Sequence, residues 1–369
     1  MRLAAFNVQN LFSRPAAFND DRGDIVDAYA KLGQILIGKT YSAADKARIV
    51  ELLRALGLSR SDEGKYATLR QSRGRLIQRT GGTVGAIKEV VAAGRDSWVG
   101  SIELNRVTPK AVSIRHSAQV IADVNADVLG VVEVENRPVL KAFAEFGVAE
   151  LGVEYHSAMV VDGNDDRGID VGVLAKPGFE VVSIRSHVDD VDAAGSLVFS
   201  RDCAEYEIRT PSAITCVVMV NHFKSKLPPK QRSDEKRRAQ AARVKELYEG
   251  RRAEGFDHVA VVGDLNDTPT SSPLAPLLAQ TDLRDVTESS AFTPDPSGRP
   301  GTHGNGTASS KIDYVLLSPA LFNSVTGGGI FRCGVWGGKN GTLFPHYPTM
   351  KSKADQASDH AAIFADVAL

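Results

Sequence analysis

The segment VAVVGDLND at 259–267 carries the clearest chemical signature in this chain. An apolar, β-branched run ends at Gly263, and Asp264 and Asn266 follow two residues apart. Residues i and i+2 of an extended chain project to the same side, so a carboxylate and an amide are expected together at a strand mouth. Sheets of α/β proteins place their chemistry at such mouths. Five further segments repeat the pattern: FNVQN at 6–10, VVEVEN at 131–136, VNHFKSK at 220–226, KIDYVLLS at 311–318 and SDH at 358–360. Each adjoins a strand-like run and offers a carboxylate, an amide or an imidazole. Oxygen donors of this kind suit a hard cation such as Mg²⁺. An imidazole beside a carboxylate suits proton transfer. No HxH or HExxH spacing occurs, so an imidazole-built zinc site has no support.

These residues need a scaffold, and composition sets its kind. With 369 residues, 43% hydrophobic and 24% charged, the chain reads as globular and long enough for a sizeable core. The net charge of −1 excludes a global basic field, so a polyanion site must be a local patch. Cys203, Cys216 and Cys333 form no CxxC pair and are expected as buried free thiols. The N-terminus shows no basic segment followed by an apolar one, and no apolar run reaches membrane-span length. An unexported, cytoplasmic protein without a membrane span is expected. Oligomeric state stays open.

Strand signals alternate with helical ones along the chain. LAAFNV (3–8), DVLGVVEV (127–134), MVVDG (159–163), DVGVLAKP (170–177), SLVFSRD (196–202), YEIRT (206–210), AITCVVMVNHF (213–223), DYVLLS (313–318) and HAAIFADVA (360–368) read as strands. Helices are expected at 42–58, with Ser42 and Asp45 as a start signal, at about 65–79, at 112–126 and at 232–252. Residues 293–310, rich in Pro, Gly, Thr and Ser, read as a surface loop close to Asp313. The pattern suggests one α/β domain over 1–369, a two-sheet sandwich, with a helical insertion at 14–110. The insertion leaves after the Asn7 strand and returns before the Glu133 strand, so it is expected to rejoin near the catalytic face. Its basic residues Arg70, Arg73, Arg75, Arg79 and Lys88 are candidates for contact with a flanking phosphate.

The ordered set GDLND, NH, IDY and terminal SDH resembles the endonuclease/exonuclease/phosphatase (DNase I-like) superfamily, and FNVQNLF, VVEVEN, RGIDVGVL and VNHFKSK look most like its bacterial nuclease-type members. The resemblance implies two packed mixed β-sheets flanked by helices, a four-layer sandwich. It implies a divalent metal, Mg²⁺ with Mn²⁺ as an option, and hydrolysis of a phosphoester. Glu133 matches the family's metal-binding glutamate and Asn7 the asparagine beside it. Asp264 and Asn266 match the pair that positions water and phosphate, and His222 the phosphate-contacting histidine. Asp313 matches the aspartate that orients the terminal histidine, and Asp359 and His360 match the terminal pair. Arg201 in FSRD looks like an arginine that some nuclease members place on the phosphate. Position 9 departs: abasic-site endonucleases carry a metal-site aspartate there, and this chain has Gln9, which puts the abasic-site reading in doubt.

Read as chemistry, Glu133, Asp359 and Asn7 are the oxygen donors for the metal. Asp264 is the water-orienting group or general base, and His360 is held by Asp313. His222, if protonated, donates to phosphate, and Asn266 donates without adding charge. Lys224 and Lys226 open a basic run, KSKLPPKQRSDEKRR (224–238), that reads as a phosphate-tracking patch or a solvated helix. Asp170 is a candidate support for the network, while Glu135, His303 and His346 read as strand-end or loop residues. The first functional expectation is a nuclease acting on DNA or RNA. The alternative is hydrolysis of a phosphorylated small molecule or lipid headgroup, which the near-zero net charge favours.

Overall fold

A computed structural model describes residues 1–11, 14–15, 23–82, 84–107, 111–165, 167–226 and 228–369. The chain forms two compact units, one of Met1–Phe12 with Pro109–Leu369 and one of Ser13–Thr108.

The larger unit holds two six-stranded mixed sheets. The first has the order Val325–Phe331, Ala362–Val367, Arg2–Leu11, Val128–Val134, Asp170–Ala175, Ser157–Val161. The second runs Glu180–Arg185, Cys203–Arg209, Thr215–His222, Val259–Asp264, Asp313–Leu317, Arg284–Asp285. Each sheet has one parallel pair at its centre: Arg2–Leu11 with Val128–Val134, and Thr215–His222 with Val259–Asp264. All other pairings are antiparallel.

Strand alternation sorts the apolar side chains into layers. Leu3, Ala5, Val128 and Val132 meet Val218, Val220, Ala260, Val262, Val315 and Leu317 in a core between the sheets. Ala4, Phe6, Leu129 and Val131 point the other way, where the helix Ala111–Val124 covers them with Val120, Ile121 and Val124. On the far side of the second sheet, Val217, Met219, Val259 and Val261 pack under Ala241, Val244 and Tyr248 of the helix Lys230–Ala253. The expected two-sheet sandwich between helices is therefore the observed fold.

The smaller unit has its own apolar core, with Ile25, Leu32, Ile49, Leu52, Leu53, Leu69 and Trp98 buried together. Helix Ala43–Ala55 starts where expected, with Ser42 and Asp45 capping each other reciprocally. The helix expected at 65–79 is not formed. Strand Ala67–Arg73 pairs with Val99–Leu104, and Ile77–Gly81 pairs with Val84–Val90. Burial there alternates, Ala67 and Leu69 inside with Thr68 and Arg70 less buried, so period two overrode the helical reading. The insertion is thus mixed rather than helical. Of its basic residues, Arg79 is buried on Asp62 and the carbonyls of Leu58 and Ser61, and Arg70 pairs with Glu103. Residues 196–202 also depart from expectation, forming an irregular loop with only a bridge from Leu197 to Val191. Cys203 and Cys216 are buried free thiols, and Cys333 is half-buried. No described helix is long and apolar enough to cross a membrane.

Candidate active site

The two parallel pairs deliver their C-terminal ends to one end of the sandwich. His222 stands opposite Asp264, and Asp264 opposite Asp313, so three neighbouring strands set one row of polar side chains. The row continues the inward positions Val220, Val262 and Val315, and Asn7 continues Leu3 and Ala5 from the other sheet. The inner face changes from apolar to ionisable where the core ends. Gly263 makes this turn possible. Its φ is 122°, and a Cβ there would lie 2.1 Å from the Asn221 carbonyl oxygen.

Glu133 arrives differently. Val132 faces inward, so alternation directs residue 133 to the helix-covered face. Its φ of 67° breaks the alternation, and Val134 lies in the outer core instead. The Glu133 carboxylate consequently reaches across toward the second sheet, with Oε1 3.9 Å from His222 Nε2. Left-handed backbone at a non-glycine residue in a strand is strained; it recurs in the strand at Gln9 (43°), and the bend after Asp264 takes it at Asn266 (54°). Asn266 therefore does not project beside Asp264 by simple extension. Its backbone N–H donates to Asp264 Oδ1 at 2.8 Å, and its amide donates to Asp264 Oδ2 at 3.2 Å and to the Phe223 carbonyl at 3.1 Å. In this arrangement Asn266 braces Asp264.

His360 is the centre of the charge network. Its Nδ1 lies 2.9 and 3.0 Å from the two Asp313 oxygens, which fixes the proton on that nitrogen. Nε2 faces Asp264 Oδ2 at 3.9 Å and Asp359 Oδ1 at 3.8 Å. Burial opposes charge on His360, but Asp313, Asp264 and Asp359 outweigh it and hold the pKa well above the ordinary histidine value. Asp264 is pushed up to about 7 by burial and by Asp313, against the pull of His360. Asp359 goes the other way, to about 2; burial resists ionisation, but His303 and His360 overcome it. For His222 the sequence leaves the protonation state open. Burial and the nearby cations Arg201 and Arg167 hold its pKa well below the ordinary value, so it is a neutral imidazole rather than a cationic donor.

Two arginines gather around Asp165. Arg167 makes a two-point contact with it at 2.8 and 2.7 Å, and Arg201 Nε lies 3.0 Å from Asp165 Oδ2. Arg201 is buried, and it acts on Glu133, Asp264 and Lys224 electrostatically. Asp170 sits nearby as a support, accepting from Gly163 N at 2.8 Å, with its pKa raised to about 7 by burial and by Asp162.

The donor set suits a hard divalent cation. Asp359 Oδ1 is buried without a hydrogen-bond partner, and burial with the Asp359 charge raises the Glu133 pKa. Excess carboxylate charge of this kind is stabilised by a cation. Asn7 turns Nδ2 toward Asp264 Oδ2 at 3.3 Å, while its Oδ1 accepts from Gln9 N at 3.1 Å. Gln9 in turn accepts from Asp359 N at 3.0 Å, so it braces the terminal loop. Two clusters bring ligand atoms within 4.8 Å of one another: His303, Asp359 and His360, and Asp264, Asp313 and His360.

His303 is the residue that sequence reasoning left in a loop. It contacts Asp359 Oδ2 at 3.3 Å through Nε2 and lies 4.7 Å from His360, ring centre to ring centre. Thr302 beside it accepts from the backbone N–H of Asp313 and Ile312, and Ser358 ties His360 N to the Asn7 carbonyl. Only a loop folding back over Asp313 brings these groups in; no local pattern announces them. His346 stacks on Trp336 instead.

Residues 102–360 match the sequence profile of the endonuclease/exonuclease/phosphatase family. Among solved structures, the mannosyl-6-phosphatase of Bacteroides thetaiotaomicron VPI-5482 aligns with a TM-score of 0.53 at 16% identity, covering 70% of this chain and 91% of that one. An endonuclease/exonuclease/phosphatase family protein of Bacteroides thetaiotaomicron gives 0.51 at 15% identity, covering 69% and 87%. Both are likenesses of fold. No curated protein matches this chain in sequence.

Proposed function

The chain belongs to the endonuclease/exonuclease/phosphatase family, a family of phosphoester hydrolases, and on that premise we propose that it cleaves phosphodiester bonds of DNA or RNA. The observation that carries this reading is the Asp313–His360–Asp264 arrangement. It sets a charged imidazole and a carboxylate of raised pKa side by side, a proton donor against a proton acceptor.

In the proposed reaction a water oxygen attacks phosphorus and the bond to the leaving oxygen breaks. Asp264, braced by Asn266 and Asn7, orients the water and takes its proton. His360, with Nδ1 fixed by Asp313, presents the Nε2 proton to the oxygen on which charge develops. Arg201 and Lys224 hold non-bridging oxygens, and His222 contributes a neutral N–H without adding charge. Glu133, Asp359 and Asn7 would hold Mg²⁺ or Mn²⁺, which when bound neutralises charge on the phosphate.

A second reading, hydrolysis of a small phosphorylated molecule or lipid headgroup, draws on the net charge of −1. A panel with Mg²⁺ separates the two: plasmid, single-stranded DNA, RNA, bis-p-nitrophenyl phosphate and p-nitrophenyl phosphate. Cleavage of nucleic acid and the diester without the monoester is the expected result. Turnover of the monoester alone would overturn the nuclease reading.

A further inference from the structure

The basic run at 224–238 is less free than its composition suggests. Lys226 pairs with Asp267 at 2.6 Å, Lys230 with Asp234, and Arg237 with both of those aspartates. Lys236 donates to the Leu197 carbonyl and Arg238 to Ser272 Oγ. Of the lysines and arginines in this run, all of them described, only Lys224 and Arg232 have no hydrogen-bond or ion-pair partner for the side chain. Both line one cleft of about 670 Å³, together with Lys236, Ser196 and Ser200. Two carboxylates also face it. Asp192 is held by the N–H groups of Ala194 and Ser196 at 2.9 Å, and Glu235 accepts from Gln231 at 3.0 Å.

Lys224 lies two residues beyond His222, the end of the strand Thr215–His222, and lines this cleft. Burial first, then Arg201, Arg167 and Lys236, depress its pKa, so positive charge continues from the Arg201 side of the site into the cleft. A single diester carries one negative charge, which Arg201 and Lys224 already meet. In the cleft three cations, Lys224, Arg232 and Lys236, face two carboxylates, Asp192 and Glu235, with Asp192 acting on Lys236, so one positive charge is left over for an outside anion.

We propose that this cleft is a second phosphate subsite, taking the phosphate next to the scissile one along a polynucleotide strand. The inference rests on the nuclease reading above and narrows it. A sugar phosphate with one phosphoryl group leaves the cleft empty, whereas every internal linkage of a nucleic acid brings a neighbour.

The test is equilibrium binding in EDTA, by fluorescence anisotropy, of a labelled thymidine dinucleotide with one phosphate and a trinucleotide with two. The trinucleotide should bind about five- to tenfold more tightly. Arg232→Ala should remove most of that preference and lower the salt slope by roughly 0.7, while Arg232→Lys keeps both. Activity on bis-p-nitrophenyl phosphate should not change, since Arg232 is exposed and outside the catalytic machinery. Equal binding of the two ligands by the natural protein, or an undiminished preference in Arg232→Ala, would overturn the subsite. Failure to cleave any nucleic acid with Mg²⁺, with the binding preference intact, would overturn the nuclease reading instead.

Discussion

Two buried ionic clusters in the larger unit invite comparison. Around Arg251, itself buried, most of the charge is answered, with only Arg251 Nη2 and the neighbouring Asp202 Oδ2 left without a partner. Arg251 donates to Glu205, to Glu207 at 2.8 Å and to Glu254 at 3.0 Å. His187 bridges Glu205 at 2.8 Å and Asp190 at 3.1 Å, and Arg243 closes on Asp190. Burial opposes the charge on His187, but Glu205 and Asp190 prevail and raise its pKa. At the candidate site, Glu133, Asp264, Asp313 and Asp359 surround His360, and only Asp313 meets it at hydrogen-bond distance; Arg201 acts on Glu133 and Asp264 from further off, and His303 contacts Asp359. The first cluster is closed almost wholly by its own chain. The second is left electrostatically incomplete, which is costly in a folded protein and marks a place built for outside partners.

The contrast is sharpest in activity. His360→Ala or Asp264→Asn should lower kcat by about 10²–10⁴-fold with an unchanged circular dichroism spectrum. A folded variant keeping more than about a tenth of the activity would remove that residue from catalysis. Glu205→Gln should do the reverse. It weakens the partnering of a buried guanidinium and should destabilise the fold by roughly 3–5 kcal/mol in urea titration, leaving kcat per folded molecule intact. Were its stability unchanged, the Arg251 cluster would not be the closed unit described here.

The next prediction concerns pH. The folded pKa of Asp264 is raised, from 3.8 to about 7, and that of His360 is raised as well. Between pH 4 and 7 Asp264 and Asp170, both raised to about 7, hold protons that the unfolded chain has released, and they outnumber the opposing His222, which is held below its ordinary value. Stability of the metal-free protein should fall as pH rises through this window and beyond it through the His360 transition. Thermal melts from pH 4 to 8 in EDTA check this, and Asp264→Asn should flatten the lower part of the curve. Melting temperatures that climb steadily between pH 5 and 8 would contradict it. The smallest effect is expected for Glu133→Gln. Half-saturating Mg²⁺ for activity should rise several-fold, while stability without metal stays within about 0.5 kcal/mol or improves as repulsion from Asp359 is relieved. An unchanged metal titration would take Glu133 out of the metal site.

Residue type and local pattern determined much of this protein without any coordinates. Continuous apolar runs such as VAVVGD and TCVVMVNH fix buried strands because β-branched side chains pack well on pleated surfaces, and the polar residue ending each run marks the same end of a sheet. Ser42 with Asp45 fixes a helix start through hydrogen bonds that span three residues. Tertiary structure decided what depends on distant backbone. The register that aligns His222, Asp264 and Asp313 comes from strands far apart in sequence. The left-handed turn at Glu133 reverses the face that alternation assigns it, and no residue type there announces it. His303 enters through a loop folded back onto Asp359, and His222 is neutral only because burial and Arg201 surround it. Local sequence encodes the periodicity of burial, whereas strain, protonation and loop closure are set by the electrostatic field and packing of the assembled chain.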